Sequence, residues 1–241
     1  MTKFLQKLGP GLLFAGAAIG VSHLVQSTKA GANFGFGLLW ALLLINLIKY
    51  PFFQFGPRYA AATGESLLEG YNKLGKGVLK AYALLTVATM FTIQTAVTIV
   101  TAGIASTLFG SEISMEIWSV IILSVCFFLL LVGKYSLLDK MMKVIIIILS
   151  LSTLFAVAAA FINSTNEPDW TQIVPSTDVE LIFLIAFMGW MPAPLDVSIW
   201  HSLWAIQKKK QEHNFNSKTA SLDFNIGYLG TIVLGIGFLM L

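Results

Sequence analysis

Titratable and soft side chains set among glycines and prolines inside apolar runs are where this sequence can do chemistry. Two stretches have that character. The first is Gly20-Val21-Ser22-His23, within the apolar run 11–25. The second is Gly189-Trp190-Met191-Pro192-Ala193-Pro194-Leu195-Asp196, within the run 181–200. The His23 imidazole can ligate a metal or exchange a proton near neutral pH, or else hydrogen-bond to a neighbouring helix. The Met191 thioether is a soft ligand that favours transition metals over magnesium or calcium, or it fills space. Asp196 brings a carboxylate that can hold an ion or a proton, and an acid placed in an apolar layer usually serves function. Ahead of Val197-Ser198-Ile199 it is also a good helix N-cap. Gly20, Ser22, Gly189 and Ala193 are small enough to let a substrate reach free backbone carbonyls, or to let helices pack closely. His201 can relay protons or bond locally. No nucleotide motif, zinc-type cysteine cluster or nucleophile triad is present, so neither an enzyme nor a bound cofactor is expected. No basic run suggests nucleic acid.

The elements around these residues belong in lipid. The 241 residues are 56% apolar and 11% charged, with mean hydropathy +0.80, whereas soluble domains carry about a quarter charged residues. Cys126 is the lone cysteine, which leaves no disulfide framework. Seven stretches approach the roughly 20 apolar residues that span a bilayer: 9–27, 36–56, 79–108, 114–133, 137–162, 179–205 and 223–241. Lys3 and Lys7 ahead of the first also fit a secretory signal. That run is long, contains His23 and lacks a small-x-small cleavage site, so a first membrane helix fits better. Residues 64–76 read as an amphipathic surface helix, and 164–178 and 207–221 as polar loops. On the third helix, Thr86, Thr89, Thr92, Thr98 and Thr101 can bond back to their own turns, while Gln94 and Thr95 are candidates for a cavity wall.

Charge sets the orientation. With the N-terminus in the cytoplasm, fourteen of the fifteen basic residues fall on the inner side and only Lys29 outside, as the positive-inside rule requires. Glu112, Glu116, Glu167, Asp169, Asp178 and Glu180 then face out, and Asp196 is the one acid expected within the bilayer core. Five helices are an odd number, so a repeat that begins at helix six is inverted relative to the first. Broken helices one and six, at about 19–23 and 189–196, would meet near the midplane, the arrangement of inverted-repeat transporters. The expected organisation is therefore a five-helix repeat over 1–163, an outer loop over 164–178, and the start of an inverted repeat over 179–241. A chain ending inside its seventh helix is expected to be a truncated form.

Three further segments carry a resemblance. Gly9-Pro10-Gly11, the run Lys29-Ala-Gly-Ala-Asn-Phe-Gly-Phe-Gly-Leu-Leu-Trp40, and Ala60-Ala-Ala-Thr-Gly-Glu-Ser-Leu-Leu-Glu69 are similar to the Nramp (natural resistance-associated macrophage protein) family of divalent metal transporters. The resemblance implies an all-α, multi-pass fold of the sodium-coupled leucine transporter type. It also implies transport of manganese, iron or related ions, usually with protons. The family signatures are Asp-Pro-Gly-Asn in helix one and Met-Pro-His in helix six. Here Gly20 stands for the aspartate, His23 for the asparagine and Ala193 for the histidine, while Met191 is kept. Aligned on His201-Ser202 instead, Asp196 falls at the histidine position. Acidic positions of the family's third helix become uncharged near Ala88, Thr95 and Thr98. A dication at a neutral site loses its main Coulombic support. The expected site is therefore Asp196 as charge, His23 and Met191 as neutral ligands, and Gly20, Ser22 and Ala193 beside them. Protons would pass through His23, Asp196 or His201. Met191 argues for manganese or iron over magnesium, which prefers oxygen. The expected setting is a bacterial inner or plasma membrane, with bilayer, ion and protons as partners and no oligomeric state specified. The alternatives are an organic solute as cargo, or a non-transporting receptor or scaffold.

Overall fold

A computed structural model describes residues 8–110, 112–163, 169–212 and 214–241, and no strand occurs among them. Lys3, Lys7 and Glu167, which entered the charge count, lie outside the described residues. The helices are α1 (Pro10–Ala18), a π-helical turn (Ser22–Ser27) continuing into α2 (Thr28–Phe34), α3 (Leu39–Thr63), α4 (Leu67–Leu74) and α5 (Lys76–Phe109). They are followed by α6 (Met115–Asn163), α7 (Asp178–Trp190), α8 (Val197–Gln211) and α9 (Ser217–Leu239). Five described segments are long and apolar enough to cross a membrane, and α1 with its continuation makes a sixth, bent by 44°. This is an all-α multi-pass membrane protein.

Four helix bounds differ from those the sequence suggests, each for a local reason. α3 runs to Thr63 despite internal Pro51 and Pro57, because neighbouring groups can satisfy carbonyls that a proline frees within a membrane helix. It ends on Gly64 in the left-handed conformation, φ 80°, where a glycine costs least. Lys209 Nζ donates to Ala61 O at 2.6 Å near that end, so the basic stretch 207–211 is helical and docked rather than loop. Lys49 consequently sits in mid-helix and not near a helix end. α6 is continuous over 49 residues, with no turn between the two apolar stretches Met115–Gly133 and Leu137–Ala160. The sequence there has no proline and one glycine, Gly133, whose cost in a helix is only about 1 kcal/mol. α9 begins at Ser217, where the Asn216 side chain accepts from Lys218 N and Thr219 N, so Asp223 lies inside the helix and not at its start.

The chain forms two compact units, Met1–Leu67 with Met141–Leu241, and Leu68–Lys140. The first holds both breaks. Its centre is an aromatic cluster of Phe14, Phe53, Phe224 and Tyr228 with Ala18, Ala193 and Val197, so α1, α3, α8 and α9 share one core. A Cβ on Gly56 of α3 would lie 2.7 Å from Ser198 O, so α3 and α8 approach at backbone distance. A second cluster joins Ala30, Leu38, Ala41, Leu42, Phe187, Met191 and Leu239. In the other unit, α5 and the first half of α6 leave large apolar side chains such as Phe91 (68% exposed) and Val132 (82%) uncovered, a surface suited to acyl chains and not to water.

Candidate functional site: the two helix breaks

α1 stops at Ala18 because the chain turns at Ile19-Gly20. Ile19 N donates to Ala15 O, and Gly20 N donates to Ala18 O at 2.9 Å, a two-residue turn that cannot extend a helix. The chain re-enters helix geometry through the π turn, with His23 N and Leu24 N both donating to Gly20 O. The second break follows Trp190. Pro192 and Pro194 have no N–H to offer, and the Met191–Pro192 peptide is cis. Helix resumes when Val197 N reaches Pro194 O at 3.2 Å and Ile199 N reaches Asp196 O at 2.9 Å.

The two breaks touch. Ser22 Oγ lies within hydrogen-bond distance of Pro192 O, at 3.3 Å, of Ala18 O and of His23 Nδ1, its single O–H shared among them. Ser22 thus joins carbonyls of both interrupted helices, five apolar segments apart in sequence. Ala18 and Ala193 share the aromatic core beside this contact. A Cβ on Gly20 or Gly189 would meet nothing within 4 Å. These two glycines therefore face open space and are not there to let helices pack.

The candidate ligands divide sharply. His23 is buried at 1% exposure, and both of its ring nitrogens have protein partners. Nε2 lies 2.9 Å from Thr231 O on α9, and Nδ1 lies 2.7 Å from Ser22 Oγ and 3.1 Å from Ala18 O. A ring bound on both sides offers no lone pair to a metal while those bonds last. Met191 is fully buried, with its side chain in the apolar cluster of Phe187, Leu42 and Leu239. Ala193 is buried in the aromatic core. Asp196 stands at the N-cap position of α8 but makes no side-chain cap bond, so the capping role open in the sequence is not used. Its Oδ1 is buried and without a hydrogen-bond partner. Among the described residues no group of three His, Cys, Asp or Glu could hold a metal ion.

Three partners at the breaks were not singled out from sequence. Lys49 Nζ donates to Met188 O at 3.0 Å, Gly189 O at 2.8 Å and Met191 O at 2.7 Å. Thr231, through its carbonyl, holds His23. Asp223, 1% exposed, accepts from Gly9 N at 3.0 Å and Gly11 N at 2.7 Å at the start of α1. Asp196 is therefore not the one acid inside the helical core. The available signals were Lys49 two residues before Pro51, and Asn216-Ser217 as a helix start ahead of Asp223.

His201 is fully buried, stacked on Phe14 at 5.4 Å and tilted against Phe224 at 5.8 Å, and neither ring nitrogen has a hydrogen-bond partner. Replacing an unpartnered buried polar group by an apolar one of similar shape is neutral or stabilising. His201→Phe should therefore raise the unfolding midpoint of the purified protein by about 2–4 °C. A lower midpoint combined with lost proton movement would instead assign His201 to the proton route. Gln94 and Thr95 lie on α5 in the other unit, where Gln94 Nε2 donates to Thr98 Oγ1 at 3.0 Å within the helix. Thr86, Thr89 and Thr101 bond back to Tyr82, Leu85 and Val97 carbonyls.

Comparison with known proteins matches residues 11–239 to the family model described as natural resistance-associated macrophage protein-like. The uncharacterized protein PM0681 of Pasteurella multocida (strain Pm70) is 38% identical over 238 residues, an alignment covering 97% of this chain and 55% of that protein. The chain thus spans about half the length of the curated relative it matches.

Proposed function

We propose that this chain, which belongs to the Nramp family, carries the first repeat (1–163), of five apolar segments with the last two joined in α6, and the start of an inverted second repeat (179–241) of a secondary-active transporter for a divalent metal ion. What supports the reading is the Ser22–Pro192 contact at 3.3 Å between the two broken helices, together with an Asp196 oxygen, in the same break, left unpartnered. Broken helices paired in this way build substrate sites at the bilayer midplane, and rocking of one bundle against another exposes the site to each side in turn. With His23 bonded on both nitrogens and the Met191 sulfur packed among apolar side chains, the donors left are oxygens: the Asp196 carboxylate and backbone carbonyls. Oxygen donors suit hard, partly hydrated cations, so magnesium or manganese fits the site better than a softer ion. Asp196 is also the group best placed to carry a coupled proton. Lysine-rich segments between the apolar spans favour a cytoplasmic N-terminus in an inner or plasma membrane.

The test is divalent-ion uptake by proteoliposomes holding the full-length protein, with a luminal pH dye read in parallel. Asp196→Asn removes the one charge facing the cation and should lower uptake roughly tenfold or more. If no divalent ion moves, or if the variant transports as well as the parent, the reading fails.

A further inference from the structure

The unwound end of α7 already has its cation. A helix C-terminus carries about half a negative charge and several carbonyls without partners. At breaks of this type such carbonyls are where transporters hold a coupling ion. Here Met191 N satisfies Phe187 O at 3.1 Å. The carbonyls of Met188, Gly189 and Met191 all converge on Lys49 Nζ, at 3.0, 2.8 and 2.7 Å. An ammonium has three N–H donors and no acceptor, so three carbonyls saturate it. Among the described residues Lys49 forms no ion pair. Its positive charge is balanced by the helix end alone. The lysine projects from the middle of α3, ten residues after Leu39 and fourteen before Thr63, a position from which it cannot simply extend to a membrane surface.

We propose that Lys49 is a tethered resident cation, filling the carbonyl cradle at the second break so that no free monovalent ion is needed there and a transported dication is excluded from it. The cradle is a site for a primary ammonium. Any cargo ion then binds on the Asp196 side of the break, away from the α7 carbonyls. This inference concerns occupancy of the cradle and stands whether or not the protein moves a metal.

Chemical rescue tests it. Lys49→Ala removes the equivalent of propylammonium and leaves a gap of that shape. In the full-length protein in detergent, Lys49→Ala should lower the unfolding midpoint by roughly 5 °C. n-Propylammonium chloride should restore at least half of the loss, and should leave the parent unchanged. Tetramethylammonium chloride at equal concentration, which has charge but no N–H, should restore none. If Lys49→Ala does not fold, Lys49→Arg and Lys49→Met carry the test, since both refill the space and only arginine keeps charge and donors. Arginine should then stay near the parent midpoint and methionine should fall by a similar 5 °C. Equal midpoints for these two variants, or rescue by tetramethylammonium as strong as by propylammonium, would overturn the proposal. The readout is stability, so it can fail while metal uptake succeeds, and the reverse.

Discussion

Gly227→Ala should abolish folding of the first unit. A single methyl at position 227 would lie 2.0 Å from Gly11 O, and one at position 11 would lie 2.0 Å from Asp223 O. Both obstacles are backbone, so no side chain can rotate away to absorb the clash. α1 and α9 would have to separate along their length, opening the aromatic core of Phe14, Phe224 and Tyr228. Small residues at such crossings let helices in lipid gain the dispersion contacts that hold them together, since no hydrophobic drive favours their association. Overpacking alone typically costs about 1–3 kcal/mol; a backbone–backbone clash belongs to the exceptional class of about 4 kcal/mol or more. The expected outcome in full-length protein is loss of the monodisperse peak after detergent extraction. Gly230→Ala, one turn further along the same helix and with nothing within 4 Å of the added carbon, is the matched control and should behave as the parent. Parent-like extraction and melting of Gly227→Ala would show that the two helices are not held at backbone contact.

Asp223→Ala is expected to be the next most damaging change. The carboxylate sits at the positive end of α1 and accepts from two of its first free N–H groups, Gly9 and Gly11. Pro10 between them has no N–H to satisfy, so this one side chain covers two of the three donors at that end, leaving only Leu12. Removing it leaves two buried N–H groups without partners, at about 1–3 kcal/mol each, and loses the attraction between the charge and the helix end. Together these amount to about 3 kcal/mol or more. Asp223→Asn keeps one oxygen acceptor but turns an amide N–H₂ toward the other donor, so it should fall between parent and alanine. Chemical or thermal unfolding in detergent measures the order. An alanine variant as stable as the asparagine variant would mean that the cap contributes little.

Both results depend on residues whose importance the sequence hides in different degrees. The two breaks were legible, because Gly20 beside Ser22-His23 and the Pro192/Pro194 pair disrupt helical bonding through purely local rules. The family resemblance rested on local strings as well, such as Gly9-Pro10-Gly11 and Ala62-Thr63-Gly64. Pairwise placement across the bundle was not legible. Lys49, close to Pro51, looks like a residue at a membrane face until α3 is seen to continue to Thr63. Asp223 looks like an end residue until Asn216 is recognised as the cap of α9. His23 showed the right chemistry with the wrong availability: its residue type allows metal binding, but Thr231 O and Ser22 Oγ claim the nitrogens, and no spacing rule could reveal partners 208 residues away. The α6 region went the other way, since the apolar stretches 114–133 and 137–162 read as separate spans where the helix merely continues.

The His23 bonds have a mechanical meaning. Its ring ties the break after α1 to α9 through Thr231 at 2.9 Å, near the far end of a pair of helices already riveted at Gly11, Gly227 and Asp223. Two attachment points on one partner remove the freedom to pivot. α1, the break at Ile19–Val21 and the start of the π turn therefore move with α9 as a single lever, and the hinge of any relative motion falls outside residues 11–23, after the π turn and in the segments that join α9 to the rest. Breaking the outer attachment while sparing the inner one would convert that lever into two loosely jointed rods.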